Sequence, residues 1–235
     1  MKSLFGENTN YIQDTEEQWL SVSDLMSGLM IVFLFIAITY MRTVKQENTK
    51  MREVAVAYQE NQVSIYDALM KEFKNDLSKW NAKIDQETLS FEFNSPDVLF
   101  DNGETSIKNN FKAILEDFFP RYINQIRPFR SSINEIRLEG HTSSSWGTTV
   151  SETDAYFNNM ALSQGRTRSV LQYIYQLPNI SHDQNWIKTN IAAVGFSSAR
   201  PVINNSLQED SNASRRVTFR IITNSEIQIK KILEK

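Results

Sequence analysis

The chain has 235 residues, with 25 basic and 28 acidic side chains for a formal net charge of −3, and it contains no cysteine. A small negative charge argues against non-specific nucleic-acid binding. The missing thiols exclude a disulfide framework, a thiolate metal site and a lipid-modified cysteine.

The first element is an apolar run, Leu25 to Met41, of 17 residues without a charge. At about 1.5 Å per residue it covers most of a hydrocarbon core of roughly 30 Å, and Trp19 to Ser23 complete the span. A transmembrane helix over 19–42 follows an N-terminal tail, residues 1–18. Acidic Asp14, Glu16 and Glu17 precede the run and Arg42 follows it, the reverse of a cleaved signal peptide, so it reads as a retained anchor. Arg42, Lys45, Lys50 and Arg52 lie after the span and only Lys2 before it. By the positive-inside tendency alone, the C-terminal part would be cytoplasmic.

Asp24 stands at the head of this run. A carboxylate facing lipid costs a few kcal/mol, so such acids face protein or water. One reading makes Asp24 a cap, together with Ser21 and Ser23, at the start of the helix. The other makes it an ion-carrying acid beside a helix–helix contact, because Ser27 and Gly28 share its side of the helix and let a second helix approach closely. A carboxyl held between helices can be neutral in one packing and charged in another.

A polar helical linker is expected over 43–86. Tyr58, Ile65, Leu69, Phe73, Leu77, Trp80 and Ile84 recur at three- to four-residue spacing, and no glycine or proline interrupts the chain between Gly28 and Pro96. It is either a solvated connector or a self-associating stalk. From residue 87 the pattern alternates in Leu89, Phe91 and Phe93. Val98-Leu99-Phe100 then precede the turn Asp101-Asn102-Gly103. A helix over Ile107–Ile126, a strand from Ile133 into Glu139-Gly140-His141-Thr142, a helix over Met160–Leu177 and strands over Ile187–Phe196 and Arg216–Ile222 follow. Residues 225–235 form a tail. The order βαβαββ predicts an α+β domain over 87–224, a mixed sheet with helices on one face.

His141 reads as a hydrogen-bonded turn residue, since only His182 exists to join it in a metal site. No nucleophile–base pair or phosphate-binding glycine loop stands out, so no enzyme, catalytic residue, metal or cofactor is expected.

Two regions of the chain, the apolar run and the C-terminal domain, carry resemblances. Ser23 to Leu34, SDLMSGLMIVFL, resembles the transmembrane segment of flagellar-stator B subunits, whose ion-carrying aspartate maps onto Asp24. Leu89 to Ile222 is similar to the OmpA-type peptidoglycan-binding domain. The matching blocks are VLFDNGETSI (Val98–Ile107), LEGHTSS (Leu138–Ser144), NMALSQGRTRSVLQYI (Asn159–Ile174), VGFSSARPV (Val194–Val202) and NASRRVTFRI (Asn212–Ile221). That resemblance implies that Arg166 holds the free carboxylate of the diamino acid in the wall peptide, with a guanidinium fork suited to it. It also makes Asn159, Leu162, Thr142 and Arg215 candidate wall contacts. Their plain structural readings are a helix start for Asn159, core for Leu162, and strand residues for Arg215 and Arg216. The family aspartate after Gly-His-Thr is Ser143 here, and Asp154 is the candidate replacement.

Residues 1–20 are acidic and polar where flagellar B subunits carry a basic tail. The start of the span and the stretch EGHTSSSW (Glu139–Trp146) resemble ZorB-type B subunits of the Zorya anti-phage defence system. This resemblance implies a homodimer inside a pentameric ring of ZorA- or MotA-like subunits in the inner membrane. The translocated ion would be a proton, with sodium open, and the domain would grip peptidoglycan in the periplasm. The N-terminus is then cytoplasmic, against the flanking charges. The competing expectations are a flagellar-type stator B subunit for motility and a passive tether from membrane to wall.

Overall fold

The computed structural model describes residues 8–94, 99–147 and 149–233. The chain divides between Glu53 and Val54 into two compact units. The helix α1, Asn8–Phe73, contributes to both.

In the first unit α1 is long and apolar enough to cross a membrane. Two of its hydroxyls bond back along the helix, which suits a span without water: Ser27 Oγ donates to the Ser23 carbonyl at 2.8 Å and Thr39 Oγ1 to that of Phe35 at 2.8 Å. Because the helix already runs from Asn8, Asp24 lies in its interior, several turns past the orphan N–H groups that a cap would satisfy. The capping reading of Asp24 is therefore corrected. Of the expected tail, residues 1–7 lie outside the described residues and the rest is helical.

In the second unit the last turns of α1 are core: Ile65, Leu69 and Phe73 are fully buried. This revises the linker expected over 43–86. The helix stops at Phe73, the chain turns through Asn81 at a φ of 47°, and β1, Ala82–Asp85, joins the sheet. Leu77 and Trp80 keep helical spacing because the turns after Phe73 still make i→i−4 bonds, Leu77 N–H to the Phe73 carbonyl at 3.1 Å and Trp80 N–H to that of Asp76 at 3.0 Å, whereas Ile84 keeps it only by coincidence, on a strand paired with Phe91. The remaining strands are β2 (Ser90–Asn94), β3 (Ile133–His141), β4 (Ile191–Gly195) and β5 (Arg216–Thr223). Their order is β1-β2-β5-β3-β4, and all neighbours are antiparallel except β3 and β4. The fold is α+β, as expected, with one more strand. Val98, the first of the apolar residues before the Asp101-Asn102-Gly103 turn, lies outside the described residues.

Alternation sorts the two sheet faces. Phe91 pairs with Phe219 and Leu138 pairs with Phe219 on the apolar face, whereas Glu92, Thr218 and Glu139 line up on the other. Helices cover the apolar face. In α2, Asn109–Ile126, the residues Phe111, Leu115, Phe118, Phe119 and Tyr122 are buried. The rings of Phe73, Phe91 and Phe118 meet at 4.5 to 5.3 Å, so α1, β2 and α2 share one aromatic cluster. Burying each such ring contributes about 2 kcal/mol or more.

The helix α3, Glu152–Tyr175, crosses between the parallel strands. It lies almost on the sheet backbone: a Cβ on Gly195 would come within 2.5 Å of the Gln164 amide nitrogen, and one on Gly140 within 2.8 Å of the Ser163 carbonyl. The expected strand over 187–196 starts later, because Ile187 is a buried residue of α4, Gln184–Asn190. After a single turn, α5 (Ser211–Ser214), the chain enters β5, and the expected C-terminal tail contains α6, Asn224–Leu233.

Candidate functional site

The tight seating of α3 on the sheet brings one side of the helix against the loops at the ends of β3 and β5. A cleft of about 390 Å³ opens there. It is lined by Asn159, Leu162 and Arg166 of α3, by Thr142 after β3 and by Arg215 before β5. Five of the expected wall contacts thus converge from three segments far apart in the chain.

Each has a definite local role. Arg166 is buried, its guanidinium 4.8 Å from the Phe100 ring. Its Nε donates to the Glu104 carbonyl at 2.8 Å and its Nη2 to that of Asp101 at 3.0 Å, fixing the turn that forms one cleft wall. Asn159 is buried and holds the opposite wall, its Nδ2 donating to the carbonyls of Ser143 at 3.1 Å and Ser145 at 3.5 Å. Arg215 Nε donates to the Ser211 carbonyl at 3.1 Å and its Nη2 to Asn212 Oδ1 at 2.6 Å. Thr142 gives its backbone N–H to the Ser197 carbonyl at 3.0 Å, and its buried Oγ1 has no hydrogen-bond partner among the described residues. A cleft-lining hydroxyl of that kind is an open position for a ligand hydrogen bond.

Two expectations about acids change. Ser143, in the place of the family aspartate, shares a hydrogen bond with the Ser145 hydroxyl at 3.1 Å. Asp154 does not replace it: it is absent from the cleft lining and sits in the first turn of α3. There its N–H donates to the N-cap Ser151 Oγ at 3.1 Å and its carboxylate accepts from the same hydroxyl at 2.7 Å. A carboxylate in a first helical turn is fully accounted for by capping. Among the described residues, the acid that lines the cleft is Asp101, at the rim and 3.0 Å from Lys108 Nζ. Sequence reasoning also passed over Asn102, Ser145 and Trp146, which line the cleft. Glu209 was missed as well: its carboxylate receives the Ser144 N–H at 3.1 and 3.2 Å and the Ser144 hydroxyl.

Beside the cleft, His141 ends strand β3 rather than standing in a turn. Its ring stacks on Phe196 at 5.3 Å, with the Arg200 guanidinium 3.8 Å from the centre of the same ring, and its Nε2 is 3.3 Å from Glu139 Oε2. Burial, together with the charges of Arg216 and Arg200, holds the His141 pKa below its ordinary 6.5 against the opposing pull of Glu139. Burial would raise the Glu139 carboxyl. The hydrogen bond from His141 and the charges of Arg200 and Arg220 more than offset that and lower it. Arg216 opens β5 and faces Glu92 at 3.8 Å.

In the first unit, Asp24 lies on the helix surface with Val22, Leu25, Gly28, Leu29 and Val32 around a shallow groove. Gly28 has open space where a Cβ would stand, and Ser27 keeps its hydroxyl bonded along the helix.

A mixed sheet with helices on one face, a cleft at the ends of β3 and β5, and an apolar N-terminal helix define an OmpA-type domain carried on a membrane-capable helix. The OmpA family matches residues 99–215. The chain is 52% identical over 234 residues to Zorya protein ZorB of Escherichia coli, covering all of both chains, and it belongs to that ZorB family. It is also 32% identical over 121 residues to the protein YtxE of Bacillus subtilis, covering 51% of this chain and 43% of YtxE. Among solved structures, a MotB-like protein from Desulfovibrio vulgaris shares the fold with a TM-score of 0.52 and 20% identity, covering 74% of this chain and 99% of that one.

Proposed function

We propose that this chain is the wall-anchored B subunit of an ion-driven motor in the inner membrane that serves anti-phage defence. The observation that carries the reading is the full-length similarity to a Zorya protein, from the acid-bearing helix to the cleft. In this reading two copies stand inside a pentameric ZorA-type ring. The N-terminus is cytoplasmic and the domain periplasmic, where Arg166, Asn159, Leu162, Thr142 and Arg215 grip peptidoglycan. Asp24 takes up and releases the ion, a proton, from each side of the dimer in turn. Its position in the interior of α1, beside Ser27 and Gly28, supports this role over a cap. Moving one charge through the membrane potential yields about 2.3 kcal/mol per 100 mV, enough to bias a two-state rearrangement at each step.

The test is phage plaquing on cells carrying the whole native operon with wild-type or Asp24→Asn protein at equal membrane abundance. The variant is nearly isosteric and cannot titrate. Loss of protection in the variant alone is the expected result. Full protection would leave a passive tether, and no protection from the wild type would turn the reading towards motility.

A further inference from the structure

The structure assigns to Glu209 a positioning role: it holds the Ser143–Trp146 loop as the second wall of the cleft. The inference rests on the reading of that cleft as the wall-binding site. One wall, Asp101 to Glu104, is fixed by Arg166 from inside the domain. The facing loop begins after β3 ends at His141, and Asn159 ties it to α3 through the carbonyls of Ser143 and Ser145. Between those two carbonyls the chain turns the Ser144 N–H outward. There the Glu209 carboxylate accepts it with both oxygens and takes the Ser144 hydroxyl as well. The loop is thus gripped from opposite sides by an amide and a carboxylate. Bonds with one ionised partner are about twice as strong as neutral ones.

Glu209 is itself held. Its residue pairs with Ile203 across an isolated bridge, and the neighbouring Asp210 N–H donates to the Val202 carbonyl at 2.8 Å. Asp210 then caps α5, its carboxylate accepting from the N–H groups of Asn212 and Ala213. That turn leads directly to Arg215, another cleft residue. One short segment therefore sets both Arg215 and, through Glu209, the loop that carries Trp146 to the cleft. Glu209 does not line the cleft and acts through Ser144.

The experiment uses the full-length protein in detergent with 5-fluorotryptophan in place of its four tryptophans, read by fluorine NMR and by retention on purified sacculi. Glu209→Gln is expected to shift the Trp146 signal, assigned with Trp146→Phe, and leave those of Trp80 and Trp186 in place. Retention falls about tenfold, the size of one lost charge-assisted bond. Ser144→Ala, which keeps the N–H contact, lowers retention by a smaller factor. Unchanged retention with a shifted Trp146 signal would overturn the inference. So would a loss of retention with Trp146 unmoved, or with Trp80 and Trp186 moved as well, which would mean a general loosening of the domain. If the wild type itself fails to bind sacculi, the wall-binding reading falls and this inference with it. Binding by the wild type that is insensitive to Glu209 removes the inference alone.

Discussion

Arg166→Ala is the obvious substitution for testing the cleft, and the structure predicts that it does more than remove a ligand contact. The side chain is 8% exposed, donates to two carbonyls at 2.8 and 3.0 Å, and lies against the Phe100 ring. Hydrogen bonds from a charged group contribute about 1.5 kcal/mol each, and a partly desolvated cation–π contact about 0.5–1 kcal/mol more. Asp101 and Glu104 are exposed, so water recovers part of what their carbonyls lose. The net cost is about 2–3 kcal/mol, or a fall in Tm of about 5–10 °C for a domain of this size. Thermal unfolding of the full-length protein in detergent measures it. A Tm within about 2 °C of the wild type would refute the reasoning and mean that the turn does not depend on Arg166. Arg166→Lys keeps the charge but not the fork, and should lose wall retention with a smaller fall in Tm.

Phe73→Ala tests whether the end of α1 is core: the ring is fully buried against Phe91 and Phe118, so denaturant unfolding should show a loss of about 3–5 kcal/mol, and a loss below about 1 would restore the view of a free linker. Gly195→Ala puts a methyl 2.5 Å from the Gln164 amide and should cost about 1–3 kcal/mol by lifting α3 from the sheet, seen as a lower Tm and weaker sacculus retention together. The His141 pKa is depressed in the folded state, so between that value and 6.5 the unfolded chain binds the extra proton. Its contribution to stability is full above pH 6.5 and is lost as pH falls through the folded value. The Tm should therefore drop on acidification from pH 7 towards 5, and His141→Gln should flatten that slope, whereas an equal slope in the variant would assign it to other groups.

Elements whose apolar pattern is local were legible in the sequence. The alternation of Phe91 and Phe93 and the helical spacing through Phe111–Ile126 each fit one period over the whole element, and in β3 the alternation of Ile136, Leu138 and Gly140 begins after the register shift between Ile133 and Glu135. Failures occur where two periods fit the same residues. Ile84 extends the helical stripe of Leu77 and Trp80 by arithmetic, yet it lies on β1, which is four residues long, too short to display its own alternation. Ile187 and Ile191 lie four apart on what reads as one strand, but a seven-residue helix ends between them. Short elements take their conformation from the sheet edge and core they join, and that information lies elsewhere in the chain.

The site divides along a similar line. Arg166, Asn159 and Leu162 share one side of one helix, so a motif within eight residues of sequence finds them together. What makes that side a cleft is non-local: Arg166 reaches carbonyls 62 and 65 residues away, and Glu209 reaches Ser144 across 65. Asp154 shows the converse error. A carboxylate near the motif in sequence looked available, but a first-turn position beside an N-cap serine already gives it partners. The missing family acid at Ser143 therefore has no nearby substitute on α3, and the loop around it is braced instead by a carboxylate, Glu209, that grips its backbone from behind. A bond to a main-chain N–H requires no particular side chain at Ser144, so nothing in the loop's own sequence announces it.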